Sequence, residues 1–194
     1  MKNVVLRTQR LLLRELRAND FAGVHSYASD PEVVRFMEWG PNTKADTRAF
    51  LQKAEAMAAA RPRSAFELGV IEIGSGALVG AAGLHVAESR DGQAMLGYCL
   101  GRNAWGRGIA TEAGLAMLRF GFEDLNLHRV WAGCDPRNHG SRRVLEKLGM
   151  RQEGHLRQNV LVRSTWCDTL LFAILRSEWL IAMSGRTMFH PADG

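Results

Sequence analysis

The sequence predicts an α/β (α+β) fold, a mixed and mostly antiparallel sheet with flanking helices, on two observations. Residues 65–100 form a meander of apolar, β-branched runs broken by turn signals at Gly74-Ser75-Gly76 and Asp91-Gly92. Beyond residue 100 the pattern switches to alternating helical and strand periods, so a parallel pairing joins an otherwise antiparallel sheet. At 194 residues, 46% hydrophobic and 23% charged, the chain fits a single domain with a buried core. A short tail is expected from about residue 184.

The elements follow in order. Leu11, Leu12 and Leu13 between charged ends mark a first strand over residues 8–14. Asn19 or Asp20 caps a short helix through about Ala28. Asp30-Pro31 has the form of a second helix start, with proline at the first helical position, leading to Trp39 and closed by Gly40-Pro41. Thr43 with Asp46 three residues on is a capping box for a helix to Ala60, which Pro62 ends. Strands are expected over 65–73, 78–86 and 94–100. A helix follows over 111–125 with Leu115, Leu118, Phe122 and Leu125 at helical spacing. Then come a strand over 129–134, a helix over 141–148 ended by Gly149, and closing strands over 150–158 and 169–175.

Several classes are excluded at this level. Cys99, Cys134 and Cys167 are an odd count at wide spacing, which fits neither a disulfide framework nor a zinc knuckle, and no metal is expected. No apolar run approaches the ~18–20 residues of a membrane span, and Lys2 and Arg7 interrupt the opening residues before a secretory signal could form. A cytoplasmic location is the expectation. The net charge of +5 attracts anions in general, but no nucleic-acid motif is present and direct nucleic-acid binding is not expected.

The most informative stretch runs from Leu100 to Ala113. A strand ends, and Gly106 and Gly108 lie in a loop that leads straight into a helix. Glycines let successive N–H groups turn inward and let an anion approach closely. The helix N-terminus adds unpaired donors and partial positive charge, so phosphate is the natural guest. Arg102 and Arg107 can add side-chain charge. The alternative is an unliganded strand-to-helix turn. A Walker loop is excluded because no Gly-Lys-Ser/Thr follows, and the dinucleotide form fits poorly because Thr111 holds its third small position.

Trp105-Gly106-Arg107-Gly108-Ile109-Ala110 resembles the acetyl-CoA pyrophosphate loop of the GNAT acetyltransferases, Gln/Arg-x-x-Gly-x-Gly/Ala, departing at its first position where Trp105 stands. That tryptophan is similar to the habit of the ribosomal-protein serine/alanine N-acetyltransferase branch. So are the opening strand at Thr8–Arg14, Leu96-Gly97-Tyr98-Cys99-Leu100, Leu127-His128-Arg129-Val130, and the run from Asp135-Pro136-Arg137-Asn138 to Gly149-Met150. Trp166-Cys167-Asp168, Leu171 and Glu178-Trp179 complete the likeness, which covers residues 8 to 180. The resemblance implies a sheet splayed at its central strands. It places the pyrophosphate on the N–H groups of Gly106, Arg107, Gly108, Ile109, Ala110 and Thr111. The pantetheine would lie along Tyr98–Leu100, with Asn138 hydrogen-bonded to it and Ser141 near the sulfur. Arg143, with Arg137 and Arg142, forms the only local basic cluster, either a contact for the adenosine phosphates or a solvated helix face.

Acetyl transfer needs a neutral amine, a polarised thioester carbonyl and a proton for the leaving thiolate. By resemblance the oxyanion donor is a backbone N–H of the 98–100 strand, and the proton comes from Ser141 with Tyr98 behind it. Ser141 could equally be the cap of its own helix. No carboxylate stands at the family's usual base positions: Met95 and Leu96-Gly97 are apolar, and Asn159, Val160 and Leu161 carry none. Glu38, Glu153, His155 and Asp168 remain. An α-amino group is on the order of a tenth neutral at pH 7 and a lysine well under a thousandth, so a weak base favours an N-terminal amine. Residues 36–40, with Glu38 and Trp39, and 160–166, with Trp166, are expected to wall the acceptor pocket.

The partners expected are therefore a CoA thioester, with acetyl-CoA as co-substrate, and an amine acceptor, with the chain acting as a monomer or homodimer. The acceptor most in keeping is a protein N-terminus. The competing readings are a small-molecule amine such as a polyamine, antibiotic or amino acid, and an acyl-CoA-binding sensor without turnover.

Overall fold

A computed structural model describes residues 3–86 and 92–187. Its eight strands are β1 (Val5–Arg7), β2 (Leu11–Glu15), β3 (Ala65–Glu72), β4 (Leu78–Val86), β5 (Gln93–Leu100), β6 (Arg129–Cys134), β7 (Arg151–Val162) and β8 (Thr165–Leu175). Five helices accompany them: α1 (Phe21–Ala28), α2 (Lys44–Ala59), α3 (Ile109–Arg119), α4 (His139–Lys147) and α5 (Arg176–Thr187). The strands form one sheet in the order β1-β2-β3-β4-β5-β6-β8-β7. Every pairing is antiparallel except β5 with β6.

Alternation along the central strands divides the core in two. Phe66, Leu68 and Val70 of β3, Ala82 and Leu84 of β4, and Ala94 and Leu96 of β5 face α3 and α4, meeting Ile109, Met117, Leu118 and Leu145. The opposite face is covered by α1 and α2 through Val24, Tyr27, Leu51 and Ala54. Glu67, Gly83, His85, Gly97 and Cys99 share that second face by the same period-2 rule.

The capping box forms as read: Thr43 Oγ1 accepts from Asp46 N at 3.2 Å, and Thr43 N donates to Asp46 Oδ2 at 2.9 Å. Gly149 takes φ +80° after α4, as its place requires. The expected helix after Asp30-Pro31 does not form. Val34 N reaches Asp30 O at 3.2 Å and Met37 N reaches Val34 O at 2.9 Å, after which the chain stays in turns. Two adjacent β-branched residues, both buried, pull this short segment onto the core, and so few residues give a helix little cooperative support.

Other boundaries shift. Thr8–Arg10 are the turn of a hairpin whose first arm, β1, was not expected; Thr8 N donates to Leu11 O at 2.9 Å. The helix expected over 111–125 is α3 followed by a π-helical turn, Phe120–Asp124. The last hairpin is longer than read, because Arg163 and Ser164 at its tip adopt φ +45° and +65°, the left-handed pair of a tight two-residue turn. α5 carries the chain to Thr187 and buries Trp179 against Phe122, 5.8 Å between rings. Asp91, half of the turn expected at Asp91-Gly92, lies outside the described residues.

Candidate active site

The sheet opens at its centre. β5 and β6 pair only through Gln93–Arg129, Ala94–Val130 and Met95–Trp131, although both strands continue, to Leu100 and Cys134. This is the splay implied by the resemblance. Gly101 N donates to Val79 O of β4 at 2.9 Å. Because N–H and C=O alternate sides along a strand, the N–H groups of Tyr98 and Leu100 face the open edge. That edge offers unpaired backbone to an extended ligand.

At its end the chain enters the glycine loop. Gly106 has φ +70° and Gly108 φ +76°, the left-handed conformation that a side chain resists. Gly108 is the N-cap of α3, and the first N–H to find an intrahelical acceptor is Glu112's, on Gly108 O at 3.0 Å. The N–H groups of Ile109, Ala110 and Thr111 are thereby left pointing out of the helix end.

The arginines behave otherwise than expected. Arg107 is held by Glu72 and by Asn103 O at 3.1 Å, and Arg102 Nε donates to Asp30 Oδ2 at 2.6 Å. Neither charge is spare for an anion; in this arrangement the backbone supplies the donors. Arg10, which the sequence reading overlooked, shapes the loop. Its Nη1 donates to Arg107 O at 3.0 Å while its Nε donates to Glu112 Oε2 at 2.7 Å. Glu112 also accepts from Thr8 Oγ1 at 2.6 Å and from Arg10 N at 3.0 Å. Burial would push this carboxyl up; the Thr8 hydroxyl and the Arg10 N–H groups outweigh that and hold it below its ordinary range. Trp105, half exposed, donates its indole N–H to Leu100 O at 2.8 Å, closing the strand's last open-edge carbonyl.

Across the splay, Tyr98 and Ser141 meet. Their hydroxyls lie 2.9 Å apart, and Tyr98 Oη also donates to Ser141 O at 3.2 Å. Burial raises the Tyr98 phenol well above its ordinary value, so both groups stay protonated at neutral pH. The cap of α4 is Asn138, whose Oδ1 accepts from Ser141 N at 3.0 Å. The reading of Ser141 as cap is thus corrected: three residues into the motif, its hydroxyl is released toward Tyr98. Arg142 pairs with Glu146 and Arg137 with Asp135, while exposed Arg143 makes no ion pair among the described residues.

The two expected acceptor walls do come together. Arg163, at the tip of the β7–β8 hairpin, donates Nη2 to Val34 O at 2.9 Å, to Gly40 O at 3.0 Å and to Trp39 O at 3.3 Å, and Nη1 to Arg35 O at 3.2 Å. Trp39 and Trp166 remain exposed at 41% and 60%, and Glu38 is exposed. A cavity of about 240 Å³ opens beside Trp166, lined also by Asp135, Pro136, Arg137, Cys167 and Asp168. Of the four remaining base candidates, Asp168 lines this cavity and Glu38 lies exposed beside Trp39. Glu153 pairs with Arg129 at 2.6 Å and His155 with Asp168 at 2.7 Å, out on the hairpin. A further carboxylate, Glu67 on β3, lies on the second face of the sheet with His85 Nε2 at 3.2 Å. The strand reading of 65–73 contained the signal, since Glu67 falls between Phe66 and Leu68 on the face away from the main core.

Known proteins bear on this geometry. The acetyltransferase (GNAT) domain family model matches residues 10–151, and the chain belongs to that family. It is 33% identical over 180 residues to the uncharacterized N-acetyltransferase YnaD of Bacillus subtilis (strain 168), covering 90% of this chain and 98% of the relative. The crystal structure of a GNAT-family acetyltransferase from Bacillus anthracis superposes with a TM-score of 0.80 at 33% identity, over 90% of this chain and 99% of that one. The [ribosomal protein uS5]-alanine N-acetyltransferase of Escherichia coli (strain K12) is 29% identical over 117 residues, 60% of each chain. The chain is a GNAT N-acetyltransferase, and acetyl-CoA is the co-substrate its family uses. No described helix is long and apolar enough to cross a membrane.

Proposed function

We propose that this enzyme transfers the acetyl group of acetyl-CoA to the α-amino group of a protein N-terminus. The observation that carries the reading is the open cleft beyond the splay. Its two walls, residues 36–40 and 160–166, are joined by Arg163 and edged by outward-facing Trp39 and Trp166. An extended peptide end suits such an open cleft, whereas a polyamine calls for an enclosed acidic pocket. The likeness to an alanine N-acetyltransferase of a ribosomal protein agrees with it.

In this reading the pyrophosphate lies on the N–H groups of residues 106–111 and the pantetheine along the open edge of β5. A backbone N–H of Tyr98 or Leu100 polarises the thioester carbonyl. Asn138, its Oδ1 engaged as the cap, offers its amide N–H₂ to the pantetheine. The Ser141–Tyr98 hydroxyl pair supplies the proton for the leaving thiolate, and Arg143 is free to meet the adenosine phosphates. The test is thiol release on two peptides of one sequence, one with a free N-terminus and one with that end blocked and a single internal lysine. The free N-terminus is expected to show the higher kcat/KM. Preference for the lysine peptide, or reaction of polyamines alone, refutes it.

A further inference from the structure

Three strands place Glu67, Gly83 and Gly97 in one row. Glu67 pairs with Gly83, and Gly83 with Gly97, in adjacent registers. A Cβ on Gly83 would lie 2.4 Å from Glu67 Oε2, so the carboxylate lies across that glycine. A Cβ on Gly97 would meet nothing within 4 Å. Strands run about 4.8 Å apart, which leaves the carboxylate roughly one strand spacing from the open floor at Gly97. Gly97 lies just past the last β5–β6 pair, at Met95 and Trp131, where the sheet parts. The two glycines thus keep a passage clear from the carboxylate to the splay.

Glu67 is little exposed, at 17% of its side chain, and among the described residues His85 is its only ion-pair partner. The other titratable groups facing it are Cys99 of β5 and Tyr27 of α1; Asp20 acts on Tyr27 from farther off. Burial, with the Glu67 charge adding to it, pushes the Cys99 thiol up to about 12 and the Tyr27 hydroxyl well above its ordinary value. Both neighbours therefore stay neutral, and neither competes for a proton.

We propose that Glu67, positioned by His85, is the base that removes the proton from the acceptor amine. It rests on acetyl transfer taking place at the splay, not on which amine is the acceptor. An ammonium proton passes to the carboxylate, directly or through one water. The freed nitrogen pair forms the C–N bond to the thioester carbonyl carbon, and the C–S pair leaves on sulfur. The thiolate takes its proton from the Ser141–Tyr98 hydroxyls, which are restored by the second proton the nitrogen loses; Glu67 returns the first to solvent. The assignment removes the missing base as a reason to favour an N-terminal amine, and that reading then stands on the cleft.

The experiment is the pH dependence of kcat/KM for Glu67→Gln, Glu67→Asp and His85→Gln, on whichever amine the wild-type enzyme acetylates. Glu67→Gln should lose about 10²- to 10⁴-fold at pH 7. Its rising limb should move up to the acceptor's own pKa, with CoA affinity and melting temperature kept. Glu67→Asp should restore the wild-type limb in part, and His85→Gln should displace it without abolishing turnover. Hydrolysis of acetyl-CoA by water, which requires no acceptor, should fall with Glu67→Gln. A Glu67→Gln enzyme with the wild-type profile shape, or with wild-type hydrolysis, overturns the assignment. Failure of the N-terminal reading shows separately, as a preference for another amine.

Discussion

Replacing Gly108 with valine separates the loop's conformation from its space. A Cβ at this position meets only Arg10 Nη2, at 3.5 Å, which is ordinary contact, so nothing in the free protein collides with it. The cost is conformational. Gly108 holds φ +76°, and an L-residue forced there loses about 1–3 kcal/mol, toward the upper end for a β-branched one. A domain of this size holds about 5–15 kcal/mol, so the fold survives with a melting temperature lowered by roughly 2–12 °C. Binding fares worse. If the backbone relaxes and two charge-assisted N–H donors near the start of α3 swing away, at about 1.5–3 kcal/mol each, CoA affinity falls by about 10²- to 10⁴-fold. Calorimetry with CoA, alongside a thermal melt, reads both quantities. Unchanged CoA affinity in a folded Gly108→Val protein would falsify the placement of the pyrophosphate on this loop.

Three further variants have expected outcomes. Ser141→Ala should lower kcat by about 10²-fold as a lost proton donor and cost only about 1 kcal/mol as a lost hydrogen bond to Tyr98, because the cap belongs to Asn138. Asn138→Ala should show the cap's own loss of about 1 kcal/mol in a thermal melt; unchanged turnover in Ser141→Ala would leave that hydroxyl a structural role. Glu112→Gln should destabilise the protein by about 1–2 kcal/mol at neutral pH by loosening Arg10 and Thr8. The Glu112 carboxyl is held low in the folded state, so its contribution is present above the ordinary carboxylate range and is lost as pH falls through the depressed folded value. Denaturation curves of the two proteins should therefore converge in acid, and a gap that persists there would show that the ion pair is not its source.

The sequence was most legible where chain chemistry acts locally. Thr43 and Asp46 announce a helix start wherever they stand, and the paired glycines announce a loop whose φ values only they tolerate well. The meander was readable because Phe66, Leu68 and Val70 alternate against Glu67 and Gly69. What escaped the reading depends on partners distant in sequence. Asp30-Pro31 has the form of a helix start, yet Asp30 serves Arg102, far along the chain. The Arg163-Ser164 turn carries no glycine to mark it, and Arg163 is fixed by carbonyls more than a hundred residues away. Arg107 reads as an anion contact until Glu72 is seen beside it. Glu67 carries no mark of a base in the strand pattern, and only the glycines across from it show what lies open in front.

The bonds around the glycine loop also bear on how much substitution it tolerates. Recognition that rests on main-chain amides leaves the intervening side chains answerable only to local tethering. Trp105 contributes to this loop a single N–H, given to the carbonyl of Leu100. Arg107 need only satisfy Glu72. A lineage can rewrite such letters in pairs while the two left-handed glycines and the helix behind them stay fixed, and the shape outlasts the spelling.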